Sequence, residues 1–478
     1  MTLAGHSGLM LGPILGAALL AVTGCAPLTR HEYAAPELLV APSWELQASG
    51  SHSAVQGSWW EQFGDQQMSA FVERVLRENG DLIAAGIRLR QARMSADLAA
   101  TELLPTISGN LSSGASRSLE GKSDWAKSSS ASLGASWEVD LFGRLNAQRN
   151  ASAWEAAATA EDLAATQLAL AGTAATAWWQ LAYANERIAL GDESLGYTLR
   201  ALVLVQKQYD AGAVSRLEVR DAEQSVAAQE ASLIQLNRAR SEARHALAAL
   251  VGVQDYDGPE PEILPATELP AIDAGVPAEL LGRRPDLAAA ELRLRSSLAN
   301  ADATIASFYP QLNLTGSLGT ASDALLDLFA HPAASLGAAL SLPFLNPERV
   351  RLQTGIARED YRLAVTQFRQ TFYNSLRDVA DALALREQLV LQEDSLARSY
   401  EAAADSEQLY ERQYRAGAVA LRGWLDAQER LRNARSNLLE NRFNQLAAQI
   451  ALYQAFGGDA AIGRNGSAQS PTRKENHA

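Results

Sequence analysis

A seven-residue motif occurs twice in the chain, and the distance between its copies limits what the chain can fold into. Gln208-Tyr209-Asp210-Ala211-Gly212-Ala213-Val214 returns as Gln413-Tyr414-Arg415-Ala416-Gly417-Ala418-Val419, an offset of 413 − 208 = 205. The same offset relates Leu89-Arg90 to Leu294-Arg295, Pro105 to Pro310, Asp221-Ala222 to Asp426-Ala427 and Gly252 to Gly457. Solenoids stack units of roughly 20–45 residues, so this is a duplication of a whole fold unit, which predicts pseudo-twofold symmetry. The first copy is placed at residues 63–255 and the second at 281–458, with a linker or equatorial segment at 256–280.

Each copy reads as helix, two strands, long helix, turn, helix. The first helix stops before Pro105, because proline disfavours the α conformation in the residue preceding it. The period then falls to two. At about 106–116, Ile107, Gly109, Leu111, Ser113 and Ala115 share one face; at about 130–141, Ala131, Leu133, Ala135, Trp137, Val139 and Leu141 do, with Ser, Gly, Glu and Asp between them. The second copy repeats the alternation at about 311–319 and 334–343. Strands of roughly 9–11 residues suit a tilted crossing of a bilayer, and an apolar face backed by a small polar one suits a barrel with lipid outside and water inside. Four strands cannot enclose a lumen, but three chains contributing four each give twelve, so a trimer is the simplest closure.

The helical hairpins are placed at 146–252 and 348–456. From Asn146 to Asp210 no proline interrupts a run of roughly 95 Å at 1.5 Å per residue, and its Leu and Ala residues recur at three, four or seven as in a coiled coil. Gly212 and Gly417 stand where each long helix reverses, where a left-handed residue is needed. Each hairpin tip therefore lies far from its strands and points into the periplasm.

The formal net charge of −14 argues against a nucleic-acid partner, which requires a basic face. A single cysteine, Cys25, excludes an internal disulfide and a cysteine-built zinc site, and the six histidines are scattered. Cys25 ends the segment Leu9–Val22, an apolar run too short to span a bilayer but suited to a signal-peptide core. Val22-Thr23-Gly24-Cys25 resembles a bacterial lipobox, although Val22 replaces the commoner leucine and residues 2–8 hold no Lys or Arg. Residues 1–24 then form a lipoprotein signal, Cys25 carries the lipid, 25–62 form the tether and an equatorial segment, and 459–478 a tail. Ala26 is not the aspartate that retains lipoproteins in the inner membrane, which favours the outer one. Gly121-Lys122-Ser123 lacks the earlier glycine of a phosphate loop and reads as an extracellular hairpin loop, and no catalytic constellation is present.

In order and spacing the motifs resemble the TolC/OprM outer-membrane factors, the NodT-type efflux lipoproteins in particular. Arg284, Pro285 and Asp286 in Arg283-Arg284-Pro285-Asp286-Leu287 resemble the family's signature opening its second repeat. Trp59-Trp60 with Phe63, Asn79-Gly80-Asp81-Leu82, Trp137 to Arg144, Leu342-Pro343-Phe344 and Leu425-Asp426-Ala427-Gln428 resemble further family motifs. The resemblance implies a mixed α and β membrane protein: a trimeric twelve-stranded barrel continued by an antiparallel α-helical barrel with an equatorial domain. It also implies passive conduction without a cofactor, driven by an inner-membrane pump of the resistance-nodulation-division type and coupled by a periplasmic adaptor. Gly212, Val214, Gly417 and Val419 are then expected to form adaptor-docking tips. In the family, acidic side chains ring the periplasmic constriction; Asp426 matches that position, nine residues past Gly417, and Asp221 is its repeat counterpart. Arg422 departs from the leucine of close relatives and stands one helical turn before Asp426, where an ion pair can form. Two rival readings remain at this point: a type I protein-secretion channel on the same fold, and a periplasmic coiled-coil scaffold lipoprotein with no pore.

Overall fold

A computed structural model describes residues 31–40, 58–118, 124–266, 269–270, 280–322 and 332–458. Cys25, the signal segment, the Gly121–Ser123 loop and the tail from 459 lie outside the described residues. The helices are α1 (Gln66–Glu78), α2 (Gly80–Thr101), α3 (Arg144–Asp210), α4 (Arg216–Val251), the single turn α5 (Leu280–Arg283), α6 (Pro285–Ala306), α7 (Pro347–Arg415) and α8 (Leu421–Ala455). The strands are β1 (Thr106–Ser116), β2 (Ala126–Val139), β3 (Gln311–Ser322) and β4 (Ala333–Ser341). Among the described residues no helix is long and apolar enough to cross a membrane. The chain divides into two compact units, one of residues up to 38, 87–160 and 288–371, the other of 39–86, 161–287 and 372 onward.

The first unit holds the sheet, antiparallel throughout in the order β1-β2-β3-β4. Its register gathers the large apolar side chains on one face, which turns polar only toward one end at Ser113, Lys127, Ser129 and Thr320. Ile107 stands opposite Ala135 and Leu111 opposite Ala131, while Leu133 faces Leu318, Trp137 faces Leu314 and Leu312 faces Leu340. On the other face hydroxyls meet across the strands, Ser112 to Ser130 at 2.7 Å and Ser317 to Ser335 at 2.8 Å. β1 and β4 are exposed along their whole length, and each pairs on one side only. With four antiparallel strands, β1 and β4 run in opposite directions, so β4 of one copy can extend the ladder onto β1 of the next. Unpaired edges inside lipid would strand backbone groups, so a sheet with these two edges can stand in lipid only as one segment of a wall that further copies complete.

Alternation predicts a second strand running to Leu141, but β2 ends at Val139. Asp140 leaves the ladder because its carboxylate caps α3, accepting from the amides of Leu145 (3.1 Å) and Asn146 (2.9 Å). β4 likewise stops at Ser341, since Pro343 opens a 3-10 turn and has no amide for the ladder. The N-terminal segment lies on this unit: the His31 amide and ring bind both oxygens of Asp302 (3.1 and 2.5 Å), and the Arg295 guanidinium lies over the rings of Tyr33 and Trp154.

The second unit is helical around an aromatic core. Trp59 stacks on Tyr453, Phe63 sets its edge against Trp179, and Phe71 stacks on Trp178. The Trp59-Trp60-Phe63 motif is buried and structural. The duplication is visible in hydrogen bonds. Asn79, before α2, donates from its side chain to the carbonyl of Leu250 near the end of α4, and Arg284, before α6, donates to that of Ala455 at the end of α8. Donors and acceptors are each 205 apart (284 − 79 and 455 − 250). Gly252 and Gly457 close α4 and α8 at φ +78° and +88°.

Candidate functional site: the hairpin tips and the groove beside them

Both long helices end in the same device. Gly212 and Gly417 adopt φ +75° and +74°, Ala213 donates its amide to Gln208 and Ala418 to Gln413, and each glycine amide returns to the carbonyl three residues back. That is the paired-bond motif by which a left-handed residue satisfies the last carbonyls of a helix. A Cβ at either glycine would meet nothing within 4 Å, so the tips are open.

The two tips share a core of Ala201, Val205, Val219, Ala222, Tyr414, Leu421 and Trp424. Tyr414 stacks on Trp424 at 5.4 Å and donates its hydroxyl to Gln208 Oε1 at 2.6 Å, while Trp424 Nε1 donates to Glu407 at 2.9 Å. Burial, and then the charge of Glu218, push the Tyr414 phenol up to about 12. Val214 and Val419, expected as docking contacts, are partly buried and pack against this core. The fully outward residues at the turns are Ala211, Gly212 and Ala213 with Ala416, Gly417 and Ala418.

Beside the tips, α4 and α8 enclose a groove of about 340 Å3 that brings Asp221, Arg422 and Asp426 together with Glu429 and Arg432. Asp221 is half-buried; Arg422 and Asp426 are exposed. The ion pair that helical spacing allows between Arg422 and Asp426 is absent among the described residues, where Arg432 instead approaches Glu429 at 3.9 Å.

The Arg284-Pro285-Asp286 signature lies outside this groove. Pro285 occupies the first position of α6, where no amide is needed. Arg284 grips Asp286 through two bonds (3.0 and 2.7 Å) and the Ala455 carbonyl through a third. Burial opposes its charge, but the carboxylates of Asp286 and Asp378 outweigh burial and raise its pKa. The signature is a latch between helix ends. Sequence reasoning did not single out Tyr414 and Trp424 as the tip core, although Tyr414 lies inside the repeated motif. Among the described residues no cluster of three or more His, Cys, Asp or Glu side chains could hold a metal ion.

The sequence model of the outer membrane efflux protein family matches the chain twice, over residues 71–253 and 276–458. The chain belongs to the outer membrane efflux protein family. The two matches are themselves 205 residues apart (276 − 71). The pyoverdine export outer membrane protein OpmQ of Pseudomonas aeruginosa is 31% identical over 452 residues, 90% of this chain and 94% of its own. Toxin and drug export protein A of Aggregatibacter actinomycetemcomitans is 28% identical over 407 residues, 84% of this chain and 89% of its own. A crystal structure of CusC, described as forming a transmembrane channel, superimposes with a TM-score of 0.81 at 26% identity, covering 90% of this chain and 99% of that one. The fold is that of the trimeric efflux channels of the outer membrane, which are transport proteins and not enzymes; the four-stranded sheet is one chain's share of a twelve-stranded barrel.

Proposed function

We propose that three copies form the outer-membrane duct of a tripartite efflux system, receiving solutes from a resistance-nodulation-division pump through a periplasmic adaptor and conducting them passively outward. The observation that carries this reading is the sheet, with one apolar face, one hydroxyl-lined face and two unpaired edges. A scaffold without a pore has no use for such a wall. A lipid on Cys25 tethers the chain to the inner leaflet. The repeated Gly212 and Gly417 turns offer six small-residue docking tips per trimer, with Val214 and Val419 bracing them from within. The groove carrying Asp221, Arg422 and Asp426 supplies the gate: around a threefold axis the carboxylates of one chain face the arginine of the next and latch the periplasmic end by charge.

The test is single-channel recording of purified trimers in planar bilayers, with vancomycin sensitivity of the producing cells as a second readout. Asp426→Ala is expected to raise conductance and sensitivity, and Arg422→Leu to leave the pore closed while changing its salt dependence. Unaltered conductance in Asp426→Ala rejects the gate, and trimers silent both as wild type and as Asp426→Ala reject the duct. The similarity to Toxin and drug export protein A supports a second reading, a type I secretion duct that also passes a protein. Deleting the chain separates the two: loss of drug or metal tolerance supports efflux, loss of a secreted protein supports secretion.

A further inference from the structure

The four strands hold two ionisable side chains in all, Lys127 and Glu138. Lys127 stands at the end of β2 opposite Ala115, in step with the apolar face. Glu138 stands near the other end of β2 opposite Asn313, in step with Ser132 and Ser136 on the polar face. Elsewhere that face is built from Ser, Thr, Asn, Gln, Gly and Ala.

Glu138 is not a bare charge. Arg144, the first residue of α3, meets it with two parallel bonds, Nη2 to Oε2 at 2.7 Å and Nε to Oε1 at 3.1 Å, and its remaining nitrogen donates to Gln148 at 3.2 Å. The two side chains are only 22% and 19% exposed. The chain between them is held on both sides, by the β2 ladder and by the Asp140 cap on α3, with Gly143 at φ +75° making the turn. Two-point geometry of this kind fixes the guanidinium in place as well as cancelling the charge.

We infer that the Glu138–Arg144 pair keeps the barrel wall electrically neutral, so that the barrel section passes cationic, anionic and zwitterionic solutes alike. This rests on the duct reading above. A bare ring of charge selects ions of one sign, whereas a closely paired ring presents almost no field beyond the separation of its charges, and salt screens the remainder within about 10 Å at 0.1 M. Charge discrimination is then left to other parts of the duct.

The test is the potassium-to-chloride permeability ratio, from reversal potentials of assembled trimers in planar bilayers under a potassium chloride gradient. Arg144→Gln, which bares three carboxylates per trimer, is expected to shift the ratio toward potassium. Glu138→Gln, which bares three guanidinium groups, is expected to shift it toward chloride, and the double variant to return it to the wild-type value. The gate is common to all four proteins, so the differences report on the barrel end alone. Single variants that leave the ratio unchanged, or move it in the same direction, overturn the inference. Should Arg144→Gln fail to assemble, Glu138→Gln carries the same test with the opposite sign. Trimers that pass no current even with the gate opened by Asp426→Ala sink the duct reading, whereas conducting trimers with unresponsive variants sink only the neutral wall.

Discussion

Gly252 and Gly457 occupy equivalent positions in the two repeats, both left-handed, yet adding one methyl group should affect them very differently. At Gly252 a Cβ meets nothing within 4 Å. Gly252→Ala therefore bears only the left-handed penalty of about 1–2 kcal/mol, partly offset by about 0.4–1 kcal/mol from the stiffer unfolded chain. At Gly457 a Cβ would lie 2.5 Å from the carbonyl oxygen of Arg283 and 3.0 Å from the amide nitrogen of Arg284. These are backbone atoms, which cannot rotate away. Relieving the overlap adds roughly 1–3 kcal/mol of overpacking, and moving Arg284 weakens its bond to the Ala455 carbonyl, worth about 1 kcal/mol. The net expectation is about 1 kcal/mol for Gly252→Ala and about 3–5 kcal/mol for Gly457→Ala. Far-ultraviolet circular dichroism during heating of detergent-purified trimers reads both. Equal losses in the two variants would refute the reasoning, because the backbone conformation is shared and only the contact differs.

Cys25→Ser is expected to abolish incorporation of labelled palmitate while the barrel still assembles; persistent labelling rejects the lipobox reading. Gly212→Asn and Gly417→Asn keep a residue that tolerates the left-handed conformation where space is open. They should leave the trimer folded and lower drug resistance by weakening adaptor docking, and full resistance in both removes the docking role. The Tyr414 phenol is raised to about 12 from a usual 10.0. The unfolded chain therefore releases this proton first, and the tip core loses stability as pH rises from about 10 toward 12. Burial raises Tyr33 and Tyr256 to about 12 as well, so phenolate absorbance should show a late-titrating component that shrinks by one tyrosine per chain in Tyr414→Phe; an unchanged late component counts against the assignment.

The periodic features of the chain were legible because they repeat. Alternation in Ile107, Leu111, Leu133 and Leu314 reports a sheet with two unlike faces, and that pattern survives a shift of two residues in any boundary. What stayed hidden depends on single side chains choosing between local options. Asp140 continues the alternation on paper, yet its carboxylate is better used on the amides of α3. Tyr209 and Tyr414 are the same letter in the same motif, but Tyr209 is 40% exposed and Tyr414 only 4%. The reason lies elsewhere in each repeat: Trp424 offers Tyr414 a ring to stack on, and its counterpart 205 residues earlier is Val219. Helical spacing put Arg422 and Asp426 within reach of each other, but reach is only permission, and the exposed pair does not close. The bond between His31 and Asp302 joins residues 271 apart and leaves no periodic trace.

The repeats agree where backbone geometry is at stake and part company where side chains meet. Gly252 with Gly457, and the carbonyls of Leu250 and Ala455, perform the same tasks at the same offset. Along the returning helices the chemistry diverges. In α8, Asn441, Gln445 and Gln449 are buried: Asn441 and Gln445 both donate to the Leu389 carbonyl, and Gln449 donates to Pro270 while accepting from Arg386. Their counterparts 205 residues earlier are Leu236, Arg240 and Arg244, and the two arginines reach Glu260, 23% exposed. The first repeat meets charge with charge on this face, and the second sets buried amides against a carbonyl and against the charged Arg386 and Glu393. The duplicated backbone therefore accepts either chemistry at these positions, ion pairs to a following segment in the first repeat and buried amide contacts in the second, because the offset fixes where the helices run and not what their side chains meet.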